Sequence, residues 1–175
     1  MAEGIRAVVI TVSDAGARGE RADESGAALV ELLEAAGAEV VGRELVSDDL
    51  EPLARVLRAA ADRSDVNLVV TTGGTGLSPR DNTPEATRAC IEREAPGLAE
   101  AMRAETWKQT PTAVLSRGVC GTRSGALVVN LPGSPRAVRE CFEVIRPVLA
   151  HAVAQLSGRG AHEEKKAGEG VKGKG

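Results

Sequence analysis

Residues 66–85 read VNLVVTTGGTGLSPRDNTPE. This stretch opens with an apolar run rich in β-branched residues, which is typical of a strand buried on both faces. A glycine-rich loop follows the run. Thr83-Pro84 then predicts a helix start, with a hydroxyl at the cap and proline at the first helical position. A strand, a loop and a helix in this order indicate an α/β unit.

The rest of the chain repeats this alternation of strands and helices. Further strands are predicted over residues 5–13, 38–46, 112–116 and 126–131. Apolar residues at helical spacing predict helices over 23–37, 50–61, 84–94, 97–107 and 135–156. The alternation predicts a three-layer α/β/α sandwich with a mostly parallel sheet. We expect one domain over residues 1–157 and a disordered, flexible tail over 158–175, because the tail is rich in glycine and charge.

Composition excludes several classes of function. The formal net charge of −3 gives no bulk reason to expect nucleic acid or anionic membrane as a partner. Trp107 and Phe142 are the only aromatic residues, which argues against a single-strand binding platform. The three cysteines are widely spaced and indicate free thiols in a reducing cytoplasm rather than a zinc site. No segment resembles a signal peptide or a membrane span, so we expect a cytoplasmic protein.

Four polar segments follow predicted strands. They are 13–14, 47–49, the 71–81 loop and 131–134. Ligands of open parallel sheets bind beyond the carboxyl ends of the strands, so we expect these segments to converge on one edge.

The glycine loop suits a phosphate. Gly73, Gly74 and Gly76 allow backbone N–H groups to approach an anion, and nearby threonines add hydroxyl donors. The alternative is a tight turn leaving a strand, for which one glycine suffices. The loop is not a Walker A motif, because Leu77 stands where that motif has lysine.

Asp48 and Asp81 are the candidate acidic residues. Each has an alternative role in local structure: Ser47 or Asp48 as a helix cap, and Asp81 in bonding nearby backbone N–H groups. Together, two carboxylates beside a phosphate-binding loop are what a Mg²⁺ site requires. His151 and His162 are remote from these segments, which argues against a Ser–His or Cys–His nucleophile. Phosphoryl or nucleotidyl transfer needs positioning and charge neutralisation instead.

Two long segments resemble the MogA/MoaB family of molybdenum-cofactor biosynthesis. They are TTGGTGLSPRDNTPEAT (71–87) and LSRGVCGTRSGALVVNLPGSPRAV (115–138), supported by TVSD (11–14) and ELVSDD (44–49). The resemblance covers about residues 5–157. It implies a molybdopterin adenylyltransferase, which converts ATP and molybdopterin to adenylylated molybdopterin and pyrophosphate with Mg²⁺.

The resemblance also implies roles for individual residues. Asp48 and Asp81 match the two important carboxylates of the family and are expected to act in catalysis and to hold Mg²⁺. Residues expected to bind nucleotide or substrate are Ser13, Asp14, Thr72, Gly73, Gly74, Thr75, Gly76, Ser116, Arg117, Pro132, Gly133 and Ser134. Ser13, Asp14, Ser116 and Arg117 are expected on the side of the pterin phosphate. Relatives often have an apolar residue at the position of Asn82, which is expected to alter loop packing slightly.

The resemblance further implies a homotrimer or homohexamer and a transient contact with a molybdenum-inserting protein. Trp107, Val114 and Leu115 are candidates for the subunit interface or for the core. A non-catalytic paralogue that binds pterin or nucleotide is the alternative function, and the presence of both aspartates favours the enzyme. A metal-insertion enzyme or scaffold built around the same domain is less consistent with 175 residues.

Overall fold

The computed structural model describes residues 4–158, and within this range six strands form one sheet. The strands are β1 (Arg6–Val12), β2 (Glu39–Val46), β3 (Leu68–Thr72), β4 (Arg93–Glu94), β5 (Cys120–Arg123) and β6 (Ala126–Leu131). Their order across the sheet is β2-β1-β3-β6-β5-β4. β2, β1, β3 and β6 are parallel, whereas β5 is antiparallel to β6 and β4 is antiparallel to β5. The predicted mostly parallel sheet is therefore confirmed.

Helices cover both faces of this sheet. They are α1 (Asp14–Ala17), α2 (Glu24–Ala35), α3 (Leu50–Ala61), α4 (Thr83–Cys90), α5 (Pro96–Trp107) and α6 (Pro135–Leu156), with a 3₁₀ helix at Pro111–Leu115. Gly37, with φ +84°, follows the end of α2 and is the stop that the sequence predicts.

Alternating side chains of the central strands divide the core in two. Ala7 and Val9 of β1 pack towards α2, α5 and α6, whereas Val8 and Ile10 pack towards α3 and α4. The largest buried side chains of the first core include Leu29, Leu33, Phe142, Ile145 and Leu149, and those of the second include Leu53 and Leu57. This arrangement confirms the three-layer sandwich.

The strand predicted over 112–116 is wrong. Residues 112–115 lie in the 3₁₀ helix that begins at Pro111, and Val114 and Leu115 are 54% and 49% exposed. The place beside β6 is taken by β5, which the sequence analysis missed. β5 is only four residues long and contains Gly121, at which an added Cβ would lie 2.5 Å from the carbonyl oxygen of Arg93. Close approach to the β4 edge therefore requires glycine there and weakens the apolar signal of a strand.

The helix predicted over 84–94 is too long, because Ile91 is extended and the chain turns into β4. Thr83 is also not its cap. Asn82 occupies the N-cap position without a side-chain hydrogen bond, and the Thr83 hydroxyl donates instead to the carbonyl oxygen of Gly73 (2.8 Å). The predicted flexible tail lies outside the described residues from 159 onward. Within residues 4–158, no helix combines the length and apolar character that crossing a membrane requires.

Candidate active site

Two clefts lie where the parallel strands end. β1, β2, β3 and β6 run in the same direction, so the polar segments that follow them meet at one edge as predicted. The larger cleft has a volume of about 450 Å³ and the smaller about 230 Å³. Gly74, Asp81 and Gly133 line both clefts, so this trio marks their junction.

The glycine loop packs closely against its surroundings. Gly73 and Gly74 have φ values of +101° and +65°, which side-chain-bearing residues rarely adopt. A Cβ on Gly73 would lie 2.3 Å from the carbonyl oxygen of Val12, and one on Gly74 would lie 2.4 Å from the Thr83 hydroxyl oxygen. Packing alone therefore accounts for these two glycines.

The same loop also leaves donors free. Within the described residues, the N–H groups of Gly74, Thr75 and Gly76 donate no hydrogen bond, although the segment is well packed. Successive unpartnered N–H groups in a tight turn form a concavity that attracts anions. The loop is thus shaped by packing and still able to bind a phosphate.

Arg117 stabilises the glycine loop through hydrogen bonds to its carbonyl oxygens. Its backbone N–H donates to the carbonyl oxygen of Thr75 (2.8 Å), and its guanidinium donates to the carbonyl oxygens of Gly76 (2.8 Å) and Asp81 (2.7 Å). A further contact joins the guanidinium to the carboxylate of Glu85 in α4. Arg117 lines neither cleft, because its donors are engaged by the loop.

Asp48 lies in the smaller cleft and is only 8% exposed. Its Oδ2 accepts from the N–H of Asp14 (2.9 Å), and its own N–H donates to Asp14 Oδ1 (3.0 Å). The carbonyl oxygen of Asp48 accepts from the Asn82 side chain (2.9 Å), so Asn82 connects this segment to the glycine loop. The predicted capping role is wrong, because Asp49 is the N-cap residue of α3, and it too makes no side-chain cap bond.

The second carboxylate oxygen of Asp48 is free for a ligand. Oδ1 has no hydrogen-bond partner among the described residues. Every buried side-chain oxygen among these residues has a partner, so Oδ1 is not buried and reaches solvent. Desolvation by burial is the main reason that the pKa of Asp48 is raised, and the negative charges of Asp14 and Asp81 raise it further. The hydrogen bond from the Asp14 N–H acts in the opposite direction. A cation at this position would lower the cost of the buried charge.

Asp14 accepts hydrogen bonds from the protein on both of its carboxylate oxygens. Arg80 binds it through two nitrogens, Nε to Oδ2 (3.0 Å) and Nη2 to Oδ1 (2.9 Å), and reaches Asp49 with Nη1 (3.0 Å). The hydrogen bond from Arg80 is the main reason that the pKa of Asp14 is lowered. Asp14 lines neither cleft, so its contact with the site runs through Asp48.

Asp81 makes the local contact that the sequence analysis considered for it. Its Oδ2 accepts from the N–H of Ser78 (3.0 Å), while Oδ1 has no partner among the described residues. No group of three or more His, Cys, Asp or Glu side chains within residues 4–158 is placed to hold a metal ion. Asp48 and Asp81 are two carboxylates on a common cleft, a donor set that suits Mg²⁺ completed by water and substrate phosphates.

The other candidate residues divide between the clefts and the interior. Ser13 and Gly73 line the smaller cleft, and Thr75, Gly76, Ser116, Pro132 and Ser134 line the larger one. Ser134 is the predicted N-cap of α6 and accepts from the N–H of Ala137 (3.2 Å). Thr72 is fully buried and lines neither cleft, because its hydroxyl donates to the carbonyl oxygen of Pro132 (2.8 Å).

Sequence analysis missed Asn130 and Arg103, which both line the larger cleft. Asn130 is buried, accepts from the N–H of Val119 (3.0 Å) and donates to the hydroxyls of Thr71 (3.0 Å) and Thr87 (2.9 Å). It therefore joins β3, β6 and α4 beneath the cleft. The available signal for Asn130 was a polar residue inside the apolar run ALVVNL. For Arg103 no signal was available in the sequence, because a single arginine on a helix is usually a solvated surface residue.

Fold and clefts together define the class: an α/β domain with a ligand-binding site at the carboxyl edge of a parallel sheet. The family model described as "Probable molybdopterin binding domain" matches residues 8–151, and the chain belongs to this family.

Individual relatives agree with this assignment. The chain is 38% identical over 152 residues to the molybdopterin adenylyltransferase of Helicobacter pylori strain J99, covering 86% of each chain. It is 43% identical over 153 residues to the molybdenum cofactor synthesis protein cinnamon of Drosophila melanogaster; the match covers 86% of this chain but only 25% of cinnamon. The crystal structure of the molybdopterin biosynthesis enzyme MoaB from Thermus thermophilus has a TM-score of 0.83 and 50% identity, covering 88% of this chain and 97% of that one.

Proposed function

We propose that this chain is a molybdopterin adenylyltransferase. A phosphate oxygen of molybdopterin attacks the α-phosphorus of ATP, the bond from that phosphorus to the bridging oxygen breaks, and pyrophosphate leaves. The observation that carries the proposal is the junction of two clefts at Gly74, Asp81 and Gly133, because a transfer between two substrates needs neighbouring sites. The similarity to the H. pylori molybdopterin adenylyltransferase, which extends over most of both chains, supports it.

The glycine loop and the two carboxylates have different roles in the proposed reaction. The N–H groups of Gly74, Thr75 and Gly76 bind phosphate oxygens and hold the reacting groups in line. Asp48 and Asp81 would hold Mg²⁺ through their free oxygens. When bound, Mg²⁺ neutralises charge on the triphosphate. Asp14 and Arg80 keep Asp48 in place.

The protein acts in the cytoplasm as a homotrimer or homohexamer. Cys90, Cys120 and Cys141 are free and buried, as is common in a reducing compartment. The large apolar side chains of Trp107 and Val114 are half exposed in the single chain. Their exposure supports the assembly of subunits through this surface. The adenylylated product passes to a molybdenum-inserting protein by a transient contact.

Replacing single carboxylates tests the catalytic proposal. We expect Asp48→Asn and Asp81→Asn each to lower turnover by about 10²-fold or more, as is typical when a preorganised electrostatic contact is removed. Glu51→Gln is the matched control, because Glu51 is an exposed carboxylate near Asp48 in sequence that forms no ion pair among the described residues and lines neither cleft. Pyrophosphate release and pterin product are measured together, over a range of Mg²⁺ concentrations.

The second candidate function is a carrier that binds pterin or nucleotide without turnover. Calorimetric titration of the wild-type chain with ATP and with molybdopterin separates the two. Tight binding without product supports the carrier, whereas near-normal turnover in both aspartate variants removes their catalytic role.

A further inference from the structure

We propose that Arg103 is the phosphate-recognition residue of the larger cleft. Its guanidinium binds a phosphate oxyanion that belongs to ATP or to molybdopterin. This inference rests on the proposed adenylyl transfer, since both substrates of that reaction are phosphorylated. The sequence resemblance expects Arg117 on the side of the pterin phosphate, but the Arg117 guanidinium donates to loop carbonyl oxygens. Arg103 takes over this role in the proposal.

Arg103 is held beside the cleft by only one of its nitrogens. It lies on α5, is partly buried, and donates from Nη1 to the carbonyl oxygens of Gly118 (3.1 Å) and Ser116 (3.4 Å). Nε and Nη2 have no acceptor among the described residues. Since no buried side-chain nitrogen there lacks a partner, both nitrogens reach solvent. The side chain is therefore anchored while two donors stay available.

The charge on Arg103 is not neutralised by the protein. Among the described residues lining the larger cleft it is the sole Lys, Arg or His, and no carboxylate within residues 4–158 forms an ion pair with it. Asp81 and Glu140 also line this cleft, but Glu140 pairs with Arg136 (2.7 Å). By contrast, Arg80 is paired with two aspartates and Arg117 with Glu85. A partly buried guanidinium without a counter-ion favours an anionic ligand.

The surroundings of Arg103 favour a phosphate among anions. Ser116 and Thr112 line the same cleft and can donate hydroxyls. Thr75 and Gly76 of the glycine loop also line it, and their N–H groups donate no hydrogen bond among the described residues. Donors from two sides match the several oxygens of a phosphate, and the planar fork of arginine suits bidentate binding.

The test replaces the charge while retaining a donor for the carbonyl anchors. Arg103→Gln is compared with Arg103→Lys and with Arg55→Gln, the control. Arg55 is an exposed arginine of α3 without an ion pair among the described residues, and it lines neither cleft. We expect Arg103→Gln to raise the KM of one substrate by about 10-fold to 100-fold, as for loss of a charge-assisted bond, with a smaller change in kcat. Arg103→Lys retains part of the affinity and Arg55→Gln retains all of it.

Separate KM values for ATP and for molybdopterin identify which phosphate Arg103 binds. Calorimetric titration of the full chain with each substrate, with inorganic phosphate as competitor, gives a second readout that does not depend on turnover. If the wild-type chain binds both substrates but forms no product, the proposed function fails while the binding comparison still decides the role of Arg103. Unchanged affinities and KM values in Arg103→Gln, even with a lowered Tm, would show that Arg103 only supports residues 116–118 and would overturn the proposal.

Discussion

Asp48 owes its position to Asp14 and Gly74 rather than to the helix that follows it. The sequence predicts a functional or capping aspartate here, since both roles use the same residue types. It cannot show which way the side chain turns, because that depends on Asp14 and Arg80, which are distant in sequence. The same limit applies to Arg117, whose partners lie in the glycine loop, far away in sequence.

Substitution of Gly74 tests how closely the glycine loop approaches Asp48. A Cβ there would lie 2.9 Å from Asp48 Oδ1 and 2.4 Å from the Thr83 hydroxyl oxygen, in a backbone with φ +65°. Gly19 is the matched control, because its φ is +73° but nothing lies within 4 Å of its Cβ position. We expect Gly19→Ala to lower the free energy of unfolding by about 1–2 kcal/mol and to leave turnover unchanged.

Gly74→Ala is expected to lower stability further and to reduce turnover strongly, because it displaces Asp48. Urea unfolding and steady-state rates measure the two effects. Equal losses of stability in both variants, with normal turnover, would contradict the close approach of Gly74 to Asp48.

Most strands and helices were predictable because their apolar periodicity reflects burial in the two cores. The 126–131 strand coincides with β6, and the 50–61 helix coincides with α3. The failures lie at the antiparallel edge. The run at 112–116 is apolar but exposed, whereas β5 carries glycine and arginine in a short strand. Local patterns could not distinguish an apolar surface from a buried strand.

Asp23 is the N-cap residue of α2 and is expected to stabilise this helix. It accepts from the N–H of Gly26 (2.9 Å), the Thr11 hydroxyl (2.9 Å) and Arg43 Nη2 (2.7 Å). Burial alone would raise the pKa of Asp23, but the hydrogen bonds from Arg43, Gly26 and Thr11 together lower it. We expect Asp23→Ala to lower the free energy of unfolding by about 1–2 kcal/mol at pH 7.

Asp23→Asn separates the charge from the cap, since asparagine is also a good N-cap. A carboxyl group with a lowered pKa stabilises the fold above its unfolded pKa of about 3.9, and this contribution is lost as pH falls through the folded pKa. The stability difference between wild type and Asp23→Asn should therefore shrink below about pH 4. Urea unfolding between pH 3 and 7 measures it, and a constant difference would contradict a charge effect.

Three large apolar side chains are about half exposed: Trp107 (51%), Val114 (54%) and Leu115 (49%). We call these three residues the apolar patch. The core role considered for these residues is therefore wrong in the single chain. The patch lies where α5 packs against the 3₁₀ helix. The alternation of predicted strands and helices indicated an α/β domain, but an apolar residue at an interface has the same sequence signal as one in a core.

Val114→Asp tests the assembly through this patch. We expect the variant to lose trimer or hexamer mass in light scattering, because an unpaired carboxylate would be buried at the interface. Val148, 45% exposed on α6, supplies the control Val148→Asp. Unchanged mass in Val114→Asp would contradict the proposed assembly through this patch.

Transfer of a labelled adenylyl group is the most direct test of the proposed reaction. The full chain is incubated with molybdopterin, Mg²⁺ and ATP labelled at the α-phosphate, and the label is followed by chromatography. We expect the label to move to the pterin in amounts equal to the pyrophosphate released, and we expect Asp48→Asn and Asp81→Asn to suppress the transfer. Label that stays in ATP, while both substrates bind the wild-type chain, would contradict the proposed reaction.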